Sequence, residues 1–193
     1  MLVNNKGVPL LAIDKIRRIV LVSLMAALMA VGAYIHVPIG PVPIVLTNLF
    51  VLLSGLLLGS RLAFSSTALY VFLGAIGLPV FYGGKGGIAH LIGPTGGYLM
   101  GFIVASFITG LISERFRHQI LGEIIAVTLG SLIVYSLGLP WLKFVTKIPL
   151  TKIFWVGMIP FLPGDTIKAV LAIILARAFR PILSRQRSSF QNI

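Results

Sequence analysis

Cysteine is absent from this chain of 193 residues, and acidic residues number only four. The first absence excludes disulfides, thiol catalysis and thiolate metal sites, and it leaves the redox compartment unread. The second leaves few carboxylates for acid–base chemistry or for a hard-metal site. Charged residues of both signs make up 10% of the chain, against roughly 25% in a soluble domain. What fills the space is apolar: 58% of residues are hydrophobic and the mean hydropathy is +1.05. Such a chain has too little polar surface to dissolve. The apolar runs are continuous, as in 44–58 and 124–134, without the alternation a transmembrane β-barrel needs. The reading is an all-α integral membrane protein, one bundle over 1–193 with no soluble catalytic domain. A cleavable signal peptide is not expected, because the first apolar run lacks a small-residue cleavage site and continues into a full span.

The net charge is +12, but the basic residues cluster at span ends and in the tail instead of forming a stripe interleaved with aromatics. Their counterpart is the anionic headgroup layer, so membrane lipids are expected partners and nucleic acid is not. Six spans are predicted, at about 18–35, 44–58, 62–78, 96–112, 120–139 and 165–180. With this order, Lys6, Lys15, Arg17, Arg18, Arg61, Arg115, Arg117, Arg177, Arg180, Arg185 and Arg187 share one side. Lys85, Lys143, Lys147, Lys152 and Lys168 take the other. Every arginine lies with the two termini, which the positive-inside rule makes cytoplasmic. The outer segments 36–43, 79–95 and 140–164 are long and rich in Gly, Pro and aromatics. They are expected to be ordered loops lying over the bundle.

Within this frame, Phe161-Leu-Pro-Gly-Asp-Thr-Ile-Lys168 carries the sharpest signal. Asp165 and Lys168 are three residues apart, on one face of a helix at the edge of a span. An unpaired charge there costs several kcal/mol, and ionisable residues at membrane depth usually serve a solute. The simpler alternative is an N-cap with a local ion pair. Thr47 and Asn48 are polar residues in the apolar second span; Asn48 either bonds a neighbouring helix or points into a cavity. Tyr82, Tyr98, Trp141 and Trp155 read as interfacial anchors, and Tyr98 also suits a cavity wall. Gly83-Gly-Lys-Gly-Gly87 lacks the Ser or Thr and the strand context of a phosphate loop. Lys85 in its centre reads as a solvated charge or as an attraction for an anionic solute.

Ala26-x3-Ala30, Gly55-x3-Gly59 and Gly97-x3-Gly101 allow close helix approach. In the first span, Ser23, Ala26, Ala27 and Ala30 form a flat face that fits either the bundle or another membrane subunit. His36, His90 and His118 fall in separate connections and make no metal site. Glu114 reads as a surface pair among arginines, and Glu123 as a partner of Arg117 or a snorkelling side chain.

Five stretches in order, Pro41-Val-Pro-Ile44, Leu53-Ser-Gly-Leu-Leu-Leu-Gly59, Gly83-Gly-Lys-Gly-Gly87, Gly93-Pro-Thr-Gly-Gly-Tyr98 and Phe161-Leu-Pro-Gly-Asp-Thr-Ile-Lys168, resemble the BioY family of biotin transporters. The resemblance covers about residues 20–180. It implies a six-helix bundle, the substrate-binding S component of an energy-coupling factor (ECF) transporter in the cytoplasmic membrane. Biotin is then the transported ligand, with no cofactor, held near the outer surface. Asp165 and Lys168 correspond to the family's Pro-Gly-Asp-x2-Lys motif in the biotin site. The resemblance also implies a coupling subunit docked on Ala26 and Ala30 and a pair of ATPase subunits, since this chain has no nucleotide motif of its own. The second helix departs from relatives, which often carry Ile-Thr-Leu-Gln-Thr where this chain has Ile44-Val-Leu-Thr-Asn48. Polarity is kept there and identity is not. The alternatives are an S component for a different vitamin, or an intramembrane enzyme, for which no nucleophile–base pair is found.

Overall fold

The computed structural model describes residues 10–38 and 41–191. Lys6, and Ile39 and Gly40 of the 36–43 segment, lie outside the described residues, as do the side chains of Arg185 and Arg187. The chain is mostly helical. Helix α1 spans Leu10–Tyr34, α2 Thr47–Leu58, α3 Ser60–Ala75, α4 Ile88–Ile92, α5 Gly96–Arg115, α6 Ile120–Thr146, α7 Leu150–Gly157 and α8 Leu162–Gln191. Three helices are long and apolar enough to cross a membrane, within Asp14–Tyr34, Gly96–Arg115 and Ile120–Thr146. The pair Thr151–Gly157 and Leu162–Leu183, bent by 46°, makes a fourth if it is one span.

The 36–43 segment belongs to a short hairpin, in which β1 (His36–Val37) pairs antiparallel with β2 (Ile44–Val45). Helix α2 therefore starts at Thr47, three residues later than the sequence suggests. The 140–164 segment is largely helical: α6 runs past Pro140 to Thr146, ends on left-handed Lys147, and α7 follows. Pro140 lies inside α6, where it removes the backbone donor that would pair with the Ser136 carbonyl, and the helix nevertheless continues for almost two further turns. Between α2 and α3 the backbone reverses at Gly59, whose φ of 79° and ψ of 175° only glycine adopts without strain.

Helices α2 and α5 form the centre, with α1, α3, α6 and α8 packed around them. The expected close approaches are present for α5 on α6. A Cβ added at Gly97 would lie 2.3 Å from Trp141 Cβ, and one at Gly101 would lie 3.0 Å from Val134 Cα. In lipid, where tails solvate apolar side chains as well as another helix does, contacts of this kind hold helices together. Ala172 and Ala176 on α8 pack in the same way into a buried cluster with Leu52, Leu56, Ala126 and Val127.

The two ends of the bundle differ. One collects Arg17, Arg18, Arg61, Arg115, Arg177 and Arg180 and is called the arginine end below. There Glu114 pairs with no arginine among the described residues: its carboxylate accepts from Ser60 N at 3.1 Å and Ser60 Oγ at 2.9 Å. It caps the start of α3, whose first amides lack intrahelical partners. Glu123 also departs from expectation. It is fully buried on α6 and accepts from Arg177 Nε at 2.7 Å and Arg180 NH1 at 2.6 Å, both on α8. Arg117 was a sequence neighbour, but the packing of α6 on α8 supplies partners 54 and 57 residues away.

Candidate functional site

At the opposite end, a cavity with about 640 Å³ of empty space, open solvent at its mouth included, lies between α1, α2, α3, α5, α6 and α8. Its walls are mainly apolar and aromatic: Ala33, Val42, Val45, Tyr70, Phe81, Tyr98, Leu99, Phe102, Val134 and Phe161. Small-ligand sites have this composition, with a few polar groups that fix orientation. Here the polar groups are Thr47, Asn48, Thr95, Tyr135, Asp165 and Lys168.

Asp165 lies in the first turn of α8, where the positive end of the helix dipole favours a carboxylate. Its amide donates to Phe161 O at 2.8 Å, which closes the turn. Lys168 Nζ donates to Asp165 Oδ1 at 2.9 Å, and the two residues are only 7% and 9% exposed, Lys168 first. The local ion pair expected from the i, i+3 spacing is therefore present, and it forms part of the cavity wall. The other carboxylate oxygen, Oδ2, accepts from the Tyr135 hydroxyl on α6. Tyr135 was missed in the sequence; its signal is that it is the only aromatic residue in 120–139.

Asn48 Oδ1 is buried without a hydrogen-bond partner. A buried carbonyl left in that state costs on the order of 1–3 kcal/mol unless something donates to it. Its neighbour Thr47 is satisfied internally, donating to Met29 O of α1 at 3.1 Å. Tyr98 is no surface anchor: it is buried and donates to Gly157 O at 2.8 Å, tying α5 to the end of α7. Its ring occupies the slot left by Gly138, where an added Cβ would come within 2.5 Å.

Over the mouth lies the 79–95 segment. Phe81 is buried with its ring edge on Tyr70 and fills the notch at Gly74. Tyr82 is flanked edge-on by His36 and His90, and Lys85 Nζ lies 4.8 Å above its ring. Tyr34 donates to Pro79 O at 2.6 Å and fastens the segment to α1. Asp165, Lys168, Asn48, Tyr82 and Tyr98 therefore meet at one cavity. Lys85 is not among its lining residues and is exposed beside Tyr82. Trp155 is exposed as an interfacial anchor would be, and Trp141 donates to Gly93 O at 2.9 Å.

The docking face expected on α1 is divided. Ala26 is buried in the core cluster, Ala30 is half-buried against it, and Ser23 and Ala27 are exposed. Residues three and four apart share a face, but the spacing does not say which way that face turns. Ala26 turns inward, toward the core cluster.

A helical membrane bundle with an apolar cavity, a charged pair at its edge and an aromatic cover belongs to the small-solute-handling membrane proteins. The family model described as the BioY family matches residues 4–185, and the chain belongs to that family. A probable biotin transporter BioY of Pyrococcus horikoshii is 45% identical over 163 residues, 84% of this chain and 95% of the relative. The biotin transporter BioY of Thermotoga maritima is 41% identical over 160 residues, 83% of this chain and 94% of the relative. A solved structure, the S-component for biotin from an ECF-type ABC transporter, matches with a TM-score of 0.81 at 30% identity. That match covers 93% of this chain and 95% of the other.

Proposed function

We propose that this chain binds biotin as the substrate-specific S component of an ECF-type transporter in the cytoplasmic membrane. The observation that carries the reading is the Tyr135–Asp165–Lys168 cluster on the wall of an otherwise apolar cavity. An ionised carboxylate has about four acceptor sites and an ammonium has three donors. Tyr135 and Lys168 take two of the former, and Asp165 takes one of the latter. What remains matches a cyclic urea, which offers two N–H donors and one carbonyl. Asp165 would accept from the N–H groups and Lys168 would donate to the carbonyl, in charge-assisted bonds about twice as strong as neutral ones. Asn48 Oδ1 is a further acceptor. Tyr98 and Phe81 suit the apolar fused rings, and Tyr82 with Lys85 suits the valerate at the mouth.

Calorimetric titration of the purified protein in detergent tests this. One biotin per chain is expected, with lipoate, which keeps the acid chain and lacks the ureido ring, bound at least a hundredfold more weakly. Equal affinity for lipoate would remove the urea-recognition role, and absence of biotin binding would remove the function.

The finer topology is part of the same proposal: a single membrane domain over 1–193 with six crossings, α1, α2, α3, α5, α6 and α7–α8, and both termini cytoplasmic. The charge asymmetry of arginine and lysine supports it. The chain has no cysteine, so Lys85→Cys supplies a single thiol. An impermeant maleimide should label it from outside intact cells; labelling only after lysis would reverse the orientation. Without a nucleotide motif, uptake would need a coupling subunit and a pair of ATPase subunits. The lipid-facing side of α1, with Ser23 and Ala27 exposed and Ala30 half-buried, is the surface proposed for docking.

A further inference from the structure

Another cavity lies at the arginine end, with about 1050 Å³ of empty space, open solvent at its mouth included. Its polar lining is Asp14, Arg17, Arg18, His118 and Arg180, and its apolar lining is Leu21, Leu57, Leu58, Leu62 and Leu183. Three guanidiniums therefore face one carboxylate. Burial and the Arg180 charge hold the His118 imidazole below its ordinary range, so it adds no positive charge near pH 7.

The guanidiniums are incompletely used. Arg17 donates to Leu183 O at 2.6 Å, yet its Nε is buried without an acceptor. Arg180 donates to Glu123 and Leu56 O, and its Nε is likewise buried and unmatched. Arg18 and Asp14 form no hydrogen bond or ion pair among the described residues. Buried N–H groups without acceptors are costly, and a guanidinium is shaped for the paired oxygens of a phosphate.

We propose that this cavity holds the phosphate headgroup of an anionic phospholipid, with Arg17 and Arg18 as the main donors and Arg180 behind them. Two observations favour lipid over a soluble phosphate. The apolar lining of the cavity is entirely leucine, a surface suited to the acyl methylenes next to a headgroup. Along α8, Arg180 lies fifteen residues from Asp165, about 22 Å at 1.5 Å per residue. With the solute cavity near one bilayer surface, that distance places Arg180 toward the other headgroup layer. Basic pockets between helices at this depth are suited to anionic headgroups.

The test is native mass spectrometry of the full chain in mild detergent, titrated separately with dioleoyl phosphatidylglycerol and dioleoyl phosphatidylcholine. One phosphatidylglycerol is expected to be retained, at least tenfold more tightly than phosphatidylcholine. The Arg17→Gln/Arg18→Gln variant should fall to the phosphatidylcholine level with its thermal unfolding midpoint kept, a control independent of biotin. Equal retention of the two lipids, or unchanged phosphatidylglycerol binding in the variant, would overturn the site. Displacement of the lipid by millimolar inorganic phosphate would assign the cavity to a soluble anion and overturn the lipid. If the double variant unfolds, Arg18→Glu alone decides: Arg18 is exposed and makes no hydrogen bond among the described residues, and tight retention there would refute the proposal.

Discussion

Glu123 at the arginine end and Asp165 at the solute cavity are both buried acids on long helices, but their surroundings leave them very different capacity. Glu123 is 0% exposed and takes a guanidinium on each oxygen; one of these, Arg180, also donates to the Leu56 carbonyl. That cluster joins α2, α6 and α8 and spends the carboxylate on the fold. Asp165 takes one ammonium and one phenol, both of which it shares with an open cavity. Its partner Lys168 makes one hydrogen bond where an ammonium can make three. Burial of a carboxylate therefore does not by itself mark a ligand site. Capacity left over after the protein's own hydrogen bonds does, and only when it faces space a ligand can enter.

The largest effect that separates the two clusters is on stability. Glu123→Ala leaves two arginines without their counter-ion, and removing one partner of a buried pair costs about 3–5 kcal/mol. Both guanidiniums reach solvent, Arg177 more than Arg180, so a loss of about 3 kcal/mol is expected, at the lower end of that range. It should appear in the thermal unfolding midpoint in detergent, with the biotin affinity of the folded fraction unchanged. A loss of affinity at unchanged stability would mean that the two clusters are coupled along α8.

Asp165→Asn should do the reverse. The amide keeps the shape and half of the acceptor capacity but presents an N–H to the ligand's donors. Biotin binding should weaken by about 1–3 kcal/mol, roughly 5- to 150-fold, with the unfolding midpoint lowered less than by Glu123→Ala because the amide oxygen still accepts from Lys168. Unaltered affinity in a folded variant would take Asp165 out of the site.

What the sequence made legible follows the same division. Asp165 and Lys168 are three residues apart on one helix, so a local rule was enough to pair them. The partners of Glu123 lie 54 and 57 residues away, and only the packing of α6 on α8 selects them over nearby Arg117. Tyr135 reaches Asp165 across 30 residues and was hidden for the same reason. The small-residue spacing in α1 marks a face that fits either the bundle or another subunit, because periodicity fixes a face without fixing what it faces. Ala26 turned to the core while Ser23 and Ala27 turned away. Helix α6 runs past Pro140 to Thr146, so the proline did not mark the end of the helix as a local rule would have it.

The smallest expected effect concerns His118, which sits beside the Glu123 cluster in the turn between α5 and α6. Its Nδ1 lies 2.9 Å from Ser113 Oγ, and its φ is 60°. Burial and Arg180 depress its pKa in the folded state, against smaller opposing pulls from Glu123 and Glu114. Below the unfolded value of about 6.5 the unfolded chain binds a proton that the folded chain resists. Stability is therefore fully present above about pH 6.5 and declines as pH falls toward the folded value. The unfolding midpoint should drop by a few degrees between pH 7.5 and 5.5. His118→Asn, which tolerates the left-handed backbone, should flatten that decline. An identical acid limb in the variant would take His118 out of the pH dependence.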